Sequence, residues 1–223
     1  MSEFGEAIRF ILNDGAVAGN PGLPSLVHLA LETLKVGAIG VAIAVALAAP
    51  LGIWLGHIHR GSFFAINIGN VGRALPSLVL IAVGLTILGI GFWNNAAALV
   101  VLAVPPILLN SYFAIDGVDR DVVEAARGMG MSERQVLLQV ELPLGLPLVI
   151  AGIRIAAIFV IATATIAAIA GGGGLGDIID NQPSYGLSGV IAASLWVSAL
   201  AFLVALLLGL VRRAVSPRQP SGA

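Results

Sequence analysis

The sequence contains no cysteine and a single lysine, Lys35, and only 10% of its 223 residues are charged. Without cysteine the chain has no disulfide framework, no thiolate zinc site and no cysteine nucleophile. No G-x-x-x-x-G-K-[ST] segment occurs, so the chain cannot build the lysine-bearing phosphate loop of an ATPase. The net charge of −1 provides no basic field for nucleic acid. These absences argue against a self-sufficient ATPase and against a nucleic-acid-binding protein.

Apolar residues make up 58% of the chain, and the charged fraction is far below the quarter or so that is typical of soluble domains. A membrane-spanning helix needs about 20 mainly apolar residues. Five stretches meet this requirement: 36–56, 62–91, 95–115, 146–170 and 187–211. We expect Pro50 to be tolerated inside the first span, a bend at Pro76 in the second and a break at Pro105 and Pro106 in the third. The prediction is an all-α integral membrane protein with about five core transmembrane helices.

The positions of the basic residues predict the orientation, because arginine and lysine are enriched in cytoplasmic loops. With five spans and the N-terminus outside, Arg9 and Lys35 lie outside. The inside set is larger and comprises Arg60, Arg120, Arg127, Arg134, Arg212, Arg213 and Arg218. We therefore expect a multi-pass protein of the cell membrane whose C-terminus is cytoplasmic.

Three parts of the chain follow from this topology: an N-terminal segment (1–30), a transmembrane domain (31–212) and a tail (213–223). The N-terminal segment lacks the basic start, long apolar centre and small-residue cleavage site of a signal peptide. It predicts a short amphipathic helix with Phe4, Ile8, Ile11 and Leu12 on one side. The tail lies within RRAVSPRQPSGA (212–223), and its composition is typical of a disordered segment.

A polar interval at residues 119–143 interrupts the apolar sequence. It comprises three residues before VVEAARGMGMSERQVLLQVELPLGLP (122–147) and most of that stretch. Asp121 with Glu124 and Ser132 with Gln135 have the three-residue spacing of helix N-terminal caps. They predict one helix over about 122–129, ended by Gly130, and a second over about 133–141 that stops before a proline.

In the first predicted helix, Ala125 and Ala126 would leave one flank thin enough for another surface to approach. In the second, the apolar stripe consists of Val136, Leu137 and Val140. Amphipathic helices lying on lipid headgroups are an alternative interpretation.

The spacing within this hairpin is similar to the EAA signature of membrane subunits in binding-protein-dependent ABC importers. The matching residues are Glu124, Ala125, Ala126, Gly130, Val140, Leu142 and Pro143, with valine at 140 where the family usually has isoleucine. The resemblance implies the permease fold of a type I importer. It also implies that the hairpin is a coupling helix seated on a separate ATPase subunit, which binds ATP and Mg²⁺, so this chain needs no cofactor of its own. The expected partners are two ATP-binding subunits, a second permease copy or a paralogue, and an extracytoplasmic substrate-binding protein.

The segments EAARGMGM, VELPLGLPLVIAGIR and IAAIAGGGGLGDII resemble the branch that imports glycine betaine, carnitine, choline or related osmoprotectants such as proline. RALPS at 73–77 and the glycine-rich turn are also similar to methionine importer permeases, so methionine or another amino acid is an alternative substrate. A stand-alone carrier or membrane enzyme is an alternative of another class. With three Trp and two Tyr for cation–π recognition, we assign selectivity mainly to the separate binding protein.

Three further features have weaker functional interpretations. GGGGLGD at 171–177 satisfies G-x-G-x-x-G, but no strand is expected before it and no acidic residue follows about 20 positions on, so it predicts a turn, with or without a functional role. His57 and His59 are expected to be interfacial polar residues, not metal ligands. Polar residues within the spans either line a substrate pathway or bond across helices. The pathway candidates are Asn70, Arg73, Thr163 and Thr165, with Ser194 and Ser198 as packing candidates.

Overall fold

The computed structural model describes residues 3–12 and 25–216, and for Phe4, Arg73 and Ile169 it describes the backbone alone. The elements are α1 (Glu3–Leu12), α2 (Leu26–His57), α3 (Ser62–Ala74), α4 (Ser77–Leu88), α5 (Phe92–Asp116), α6 (Arg120–Gly128), α7 (Glu133–Val136), a π-helical turn (Leu137–Glu141), α8 (Leu142–Ala164), a 3₁₀ turn (Ile166–Ala170), α9 (Gly176–Asp180) and α10 (Gln182–Val215). All regular structure in these two ranges is helical, which confirms the predicted fold class.

Four helices are long and apolar enough to cross a membrane: α2, α5, the continuous run Glu133–Ala164 and α10. The pair α3 and α4 forms a fifth candidate span with a bend of 91° between its halves. The bend lies where it was predicted, because Leu75 adopts an extended backbone before Pro76 (ψ 121°) and ends α3. The structure therefore has four to five candidate spans, which lie at the five apolar stretches of the sequence.

Helix α5 is the centre of the fold, since α2, α8, α3 and α4 all pack against it. Small residues on α2 bring the two backbones close together: a Cβ atom at Gly52 would lie 2.6 Å from the Leu108 carbonyl oxygen, and one at Gly56 would lie 2.7 Å from that of Tyr112. Without a hydrophobic driving force between helices in lipid, such close packing is a principal source of helix association. The interface between α2 and α5 is accordingly tightly packed.

The expected break at Pro105 and Pro106 is wrong, because α5 runs through both residues without interruption. Neighbouring groups pack and hydrogen-bond around the prolines. Pro105 is buried and packs against Gly72 of α3, where a Cβ atom would collide with its ring. The Asn110 amide donates to the Pro106 carbonyl at 2.7 Å. Such protein contacts allow a membrane helix to keep its direction through proline.

The ends of the chain depart from the sequence prediction in detail. Helix α1 exists and packs on α10, but through Ala7, Phe10 and Ile11. Of the predicted apolar face, Ile8 and Leu12 are exposed, and the Phe4 side chain lies outside the described residues. At the other end α10 continues through the two arginines of the predicted tail to Val215. The rest of the predicted tail, from residue 217, also lies outside the described residues.

Candidate functional site

The polar hairpin, residues 119–143, has a small apolar core of its own. Val123 and Ala126 on α6 and Val136 at the end of α7 are buried against one another. Val118, Met131 and Val140 cover the edges of this core. Gly130 makes the turn between the helices with a φ of 86°, a left-handed conformation that glycine adopts without a steric penalty. The hairpin is therefore a packed unit and not two independent helices on a surface.

Side-chain caps and one ion pair hold the two short helices together. Gln135 Oε1 accepts hydrogen bonds from the backbone N–H of Ser132 at 2.8 Å and from its Oγ at 3.0 Å, within the predicted capping box. Arg127 donates two hydrogen bonds to Glu133, with Nε to Oε1 at 3.0 Å and Nη2 to Oε2 at 2.9 Å. The predicted cap at Asp121 is wrong: Asp119 accepts from the Asp121 backbone N–H at 3.0 Å, because the helix begins two residues earlier.

The signature alanines have different surroundings. Glu124 and Ala125 are exposed on α6, together with Val122, and Met129 at the tip is 77% exposed. Ala126, expected to thin the same flank, is 2% exposed and instead allows α6 to pack closely on the second helix. Exposed apolar and acidic groups beside a fixed turn form a surface of the kind that docks another protein.

The expected end of the second helix before Pro143 is wrong. The chain passes from α7 through the π-helical turn directly into α8, so the hairpin and the fourth span form one continuous helical run. The backbone N–H of Leu142 bonds to the Leu137 carbonyl five residues back, immediately before Pro143, which has no N–H to donate. The π-helical hydrogen-bond register thus allows the helix to continue through a residue that has no N–H donor. Gly145 then packs on the Ala114 carbonyl, where a Cβ atom would collide.

A group of charged and imidazole side chains at the base of the hairpin was missed by the sequence analysis. His57 Nδ1 lies 2.6 Å from Glu141 Oε2, a hydrogen bond in which the ring N–H donates to the carboxylate. His59 Nδ1 is 2.9 Å from Asp116 Oδ1. The paired residues are 84 and 57 positions apart. An acidic residue at 141 inside an otherwise apolar run was the only sequence signal for this arrangement.

The glycine-rich turn lies beyond the opposite end of α8, and α2 and α5 fix it. Gly173 and Gly174 have φ values of 67° and 85°. Glu32 Oε2 accepts from the Gly174 N–H at 3.2 Å, and Thr33 Oγ1 accepts from the Leu175 N–H at 2.9 Å. The turn follows a 3₁₀ segment and not a strand, as expected from the sequence.

Asn95, from α5, completes the attachment of this turn. In the amide orientation that satisfies both of its groups, it donates to the Ala167 carbonyl at 3.2 Å and accepts from the Gly172 N–H at 3.0 Å. Nearby, burial raises the pKa of the Asp177 carboxyl, and the negative charges of Glu32 and Asp180 add to the increase. The end of the molecule that carries the turn therefore holds a group of acidic side chains.

The structure does not assign a role to the four pathway candidates. Asn70 is exposed on α3, and the Arg73 side chain lies outside the described residues. Thr163 is buried, and the Thr165 hydroxyl donates to the Ala162 carbonyl at 2.8 Å. The hydroxyls of Ser194 and Ser198 likewise donate to carbonyls of their own helix, those of Val190 and Ser194. Their participation in a pathway stays a prediction.

Comparison with known proteins gives a consistent family. The model of the binding-protein-dependent transport system inner membrane component family matches residues 40–219. The glycine betaine/carnitine/choline transport system permease protein OpuCB of Bacillus subtilis is 35% identical over 196 residues, which cover 86% of this chain and 88% of the relative. The choline transport system permease protein OpuBB of the same organism is 36% identical over 86% of this chain and 89% of its own. The carnitine transport permease protein OpuCB of Listeria monocytogenes is 35% identical, with coverages of 84% and 86%.

Solved structures agree on the fold. An inward-facing conformation of the MetNI methionine ABC transporter superposes with a TM-score of 0.75 at 24% identity, covering 86% of this chain and 96% of the other. An amino acid ABC transporter crystallised with histidines gives a TM-score of 0.64 at 19% identity, with coverages of 96% and 99%. At these identities the likeness concerns the arrangement of helices.

Proposed function

This chain belongs to the binding-protein-dependent transport system inner membrane component family, and from that premise we propose that it translocates a small quaternary-amine osmoprotectant such as glycine betaine, choline or carnitine. It is a membrane-embedded permease subunit of an ATP-driven importer and not itself an enzyme. The observation that carries the choice of substrate is that relatives named for these three compounds match more than four-fifths of the chain. The structural likeness to a methionine transporter concerns the fold, at lower identity.

The chemistry of a quaternary ammonium suits a permease with few polar groups along its spans. Such a cation donates no hydrogen bond from its nitrogen and is recognised mainly by aromatic faces. The chain has only three Trp and two Tyr, and Trp54 and Trp93 lie exposed on the outside of their helices. We therefore assign the aromatic recognition step to a separate extracytoplasmic binding protein, while this chain supplies the route.

We propose that the hairpin is the site at which ATP hydrolysis is coupled to this route. Glu124, Ala125 and Met129 form an exposed surface beside the turn at Gly130, and the hairpin core fixes that surface in one orientation. An ATP-binding subunit seated there can drive a change only if it binds two conformations of the permease with different affinities. The continuous helix from the hairpin into α8 provides a direct mechanical connection to the membrane domain.

The expected assembly contains two ATP-binding subunits, a second permease copy or paralogue and the binding protein. Helix α8 has 23 residues, which at a rise of about 1.5 Å per residue gives about 35 Å, enough to cross the hydrocarbon core. The hairpin and the glycine-rich turn therefore lie at opposite membrane faces. With the arginine-rich hairpin cytoplasmic, the N-terminus and the glycine-rich turn are outside, where the binding protein would dock.

Uptake by vesicles containing the complete complex tests the substrate. Labelled glycine betaine, choline, carnitine and methionine are supplied separately with the binding protein, in the presence and absence of ATP inside. We expect ATP-dependent uptake of at least one quaternary amine and none of methionine. Uptake of methionine alone would contradict the proposed substrate, and uptake of a quaternary amine without ATP or the ATPase subunits would contradict the importer.

A further inference from the structure

Glu141 is a carboxylate in an unusual position. Its side chain is 0% exposed, and it lies at the end of the π-helical turn, where the hairpin becomes α8. Oε2 is 2.6 Å from His57 Nδ1, whereas Oε1 has no hydrogen-bond partner among the described residues. A buried carboxylate is costly unless its partner is well placed. The residue therefore depends on His57 more than on any other group around it.

His57 is the last residue of α2, and its ring is held on both sides by the hairpin. The side chain is 12% exposed, and Nε2 lies 3.6 Å from Glu133 Oε2 while Nδ1 contacts Glu141. Glu133 in turn accepts both hydrogen bonds from Arg127 on α6. A chain of contacts thus runs from α6, through the beginning and the end of the second hairpin helix, to the end of the first span.

Tight backbone packing surrounds this connection. One residue before His57, a Cβ atom at Gly56 would lie 2.7 Å from the Tyr112 carbonyl of α5. Four residues after Glu141, Gly145 packs on the Ala114 carbonyl of the same helix. The end of α2, the end of α5 and the start of α8 therefore meet at close backbone contact, and a displacement of the hairpin base cannot be absorbed by loose side chains.

We propose that His57 and Glu141 are positioning residues that lock the hairpin to α2, so that the movement of a docked ATP-binding subunit is passed to the first span as well as to α8. This inference rests on the proposed function of the hairpin. Without the lock, the hairpin still docks and ATP is still hydrolysed, but α2 no longer follows. The consequence is hydrolysis uncoupled from transport, a defect distinct from loss of folding or of docking.

The test compares variants in vesicles containing the complete complex and measures the number of substrate molecules imported per ATP hydrolysed. His57→Leu and Glu141→Leu are expected to lower this ratio by about tenfold, because each removes a short charge-assisted hydrogen bond at a buried site. His57→Asn, whose Nδ2 takes the place of Nδ1 and can still donate to the carboxylate, is expected to restore most of the ratio. His59→Leu is the matched control, since His59 pairs with Asp116 and not with the hairpin, and it is expected to leave the ratio within about twofold of the wild-type value.

The double variant His57→Leu/Glu141→Leu separates a joint role from two independent defects. If the pair acts as one connection, the double variant loses no more coupling than either single variant. Should His57→Leu fail to assemble, His57→Phe is used, since its ring fills a similar space but carries no donor for Glu141. A wild-type import ratio in the variants, or losses that multiply in the double variant, would overturn the inference. Failure of the wild-type complex to import any quaternary amine would instead contradict the proposed substrate, and the ratio is then measured with the solute that it does import.

Discussion

At the scale of single residues, the acidic group around the glycine-rich turn gives a pH-dependent prediction. The pKa of Asp177 is raised from its ordinary value of 3.8 by burial, and then by the charges of Glu32 and Asp180. The folded protein therefore binds this proton more tightly than the unfolded chain does. Stability from this group increases as the pH falls through the raised pKa and is lost as the pH rises through it.

Asp177→Asn removes the free-energy cost of holding an ionised carboxylate in this partly buried, acidic position. We expect the variant to melt at a higher temperature than the wild type at pH 7.5, with a difference that shrinks towards zero as the pH approaches about 4, near the ordinary carboxyl pKa. Asp180→Asn removes one of the repelling charges and should shift the melting temperature in the same direction by less. Thermal unfolding of the purified protein in detergent over this pH range measures both. A lower melting temperature for Asp177→Asn at pH 7.5, or a difference that does not vary with pH, would contradict the assignment.

Several residue-level features were beyond the reach of the sequence. The contact of His57 with Glu141 joins positions 84 apart, and the attachment of the glycine-rich turn by Glu32 and Thr33 spans 142 positions. Neither has a local spacing pattern, because each depends on how the helices pack together. Similarly, Ala125 and Ala126 are adjacent alanines that the sequence alone does not distinguish. Packing within the hairpin core leaves Ala125 exposed and buries Ala126.

At the scale of elements, local signals were sufficient where the cause was local. The bend at Pro76 and the turn at Gly130 were predicted correctly, because backbone sterics act within one or two residues. The same rules failed at Pro105, Pro106 and Pro143. There, packing against a neighbouring helix at Pro105 or a change of helical register before Pro143 accompanies the uninterrupted helix. The helix cap moved from Asp121 to Asp119 because two suitable acids lie two positions apart.

The hairpin turn offers a matched pair of glycine substitutions. A Cβ atom would meet nothing within 4 Å at Gly128 or at Gly130, but only Gly130 has a positive φ. Gly130→Ala is therefore expected to destabilise the hairpin by about 1 kcal/mol through backbone strain alone. Gly128→Ala, at the last position of α6, is expected to be neutral or to stabilise by up to about 1 kcal/mol.

Affinity of the purified permease for its ATP-binding subunit measures the effect of both substitutions. Gly130→Ala should weaken the complex by about fivefold, because the docking surface depends on the turn, and Gly128→Ala should leave it unchanged or tighter. Equal effects of the two variants would contradict the role assigned to the left-handed turn.

At the scale of the whole molecule, one helical run connects the two ends at which partners are expected. Glu133–Ala164 begins inside the hairpin, crosses the membrane domain and ends at the residues that lead to the glycine-rich turn. Helix α2 parallels this connection, since it contacts Glu141 through His57 at one end and the glycine-rich turn through Glu32 and Thr33 at the other. The overall fold and the location of the hairpin were predictable from apolar run lengths and from the EAA spacing. These two connections were not, because they are tertiary.

The central claim is that ATP energy enters this permease at the hairpin, and the variant Glu124→Arg tests it most directly. Glu6→Arg is the matched control, because it makes the same charge change at an exposed glutamate of α1. The measurement is co-purification of the ATP-binding subunit with the permease, followed by ATP-dependent uptake in vesicles. We predict that Glu124→Arg loses both by at least about tenfold, since a charge is reversed within the docking surface, while Glu6→Arg retains both. Full retention of the ATP-binding subunit and of uptake by Glu124→Arg would contradict the account.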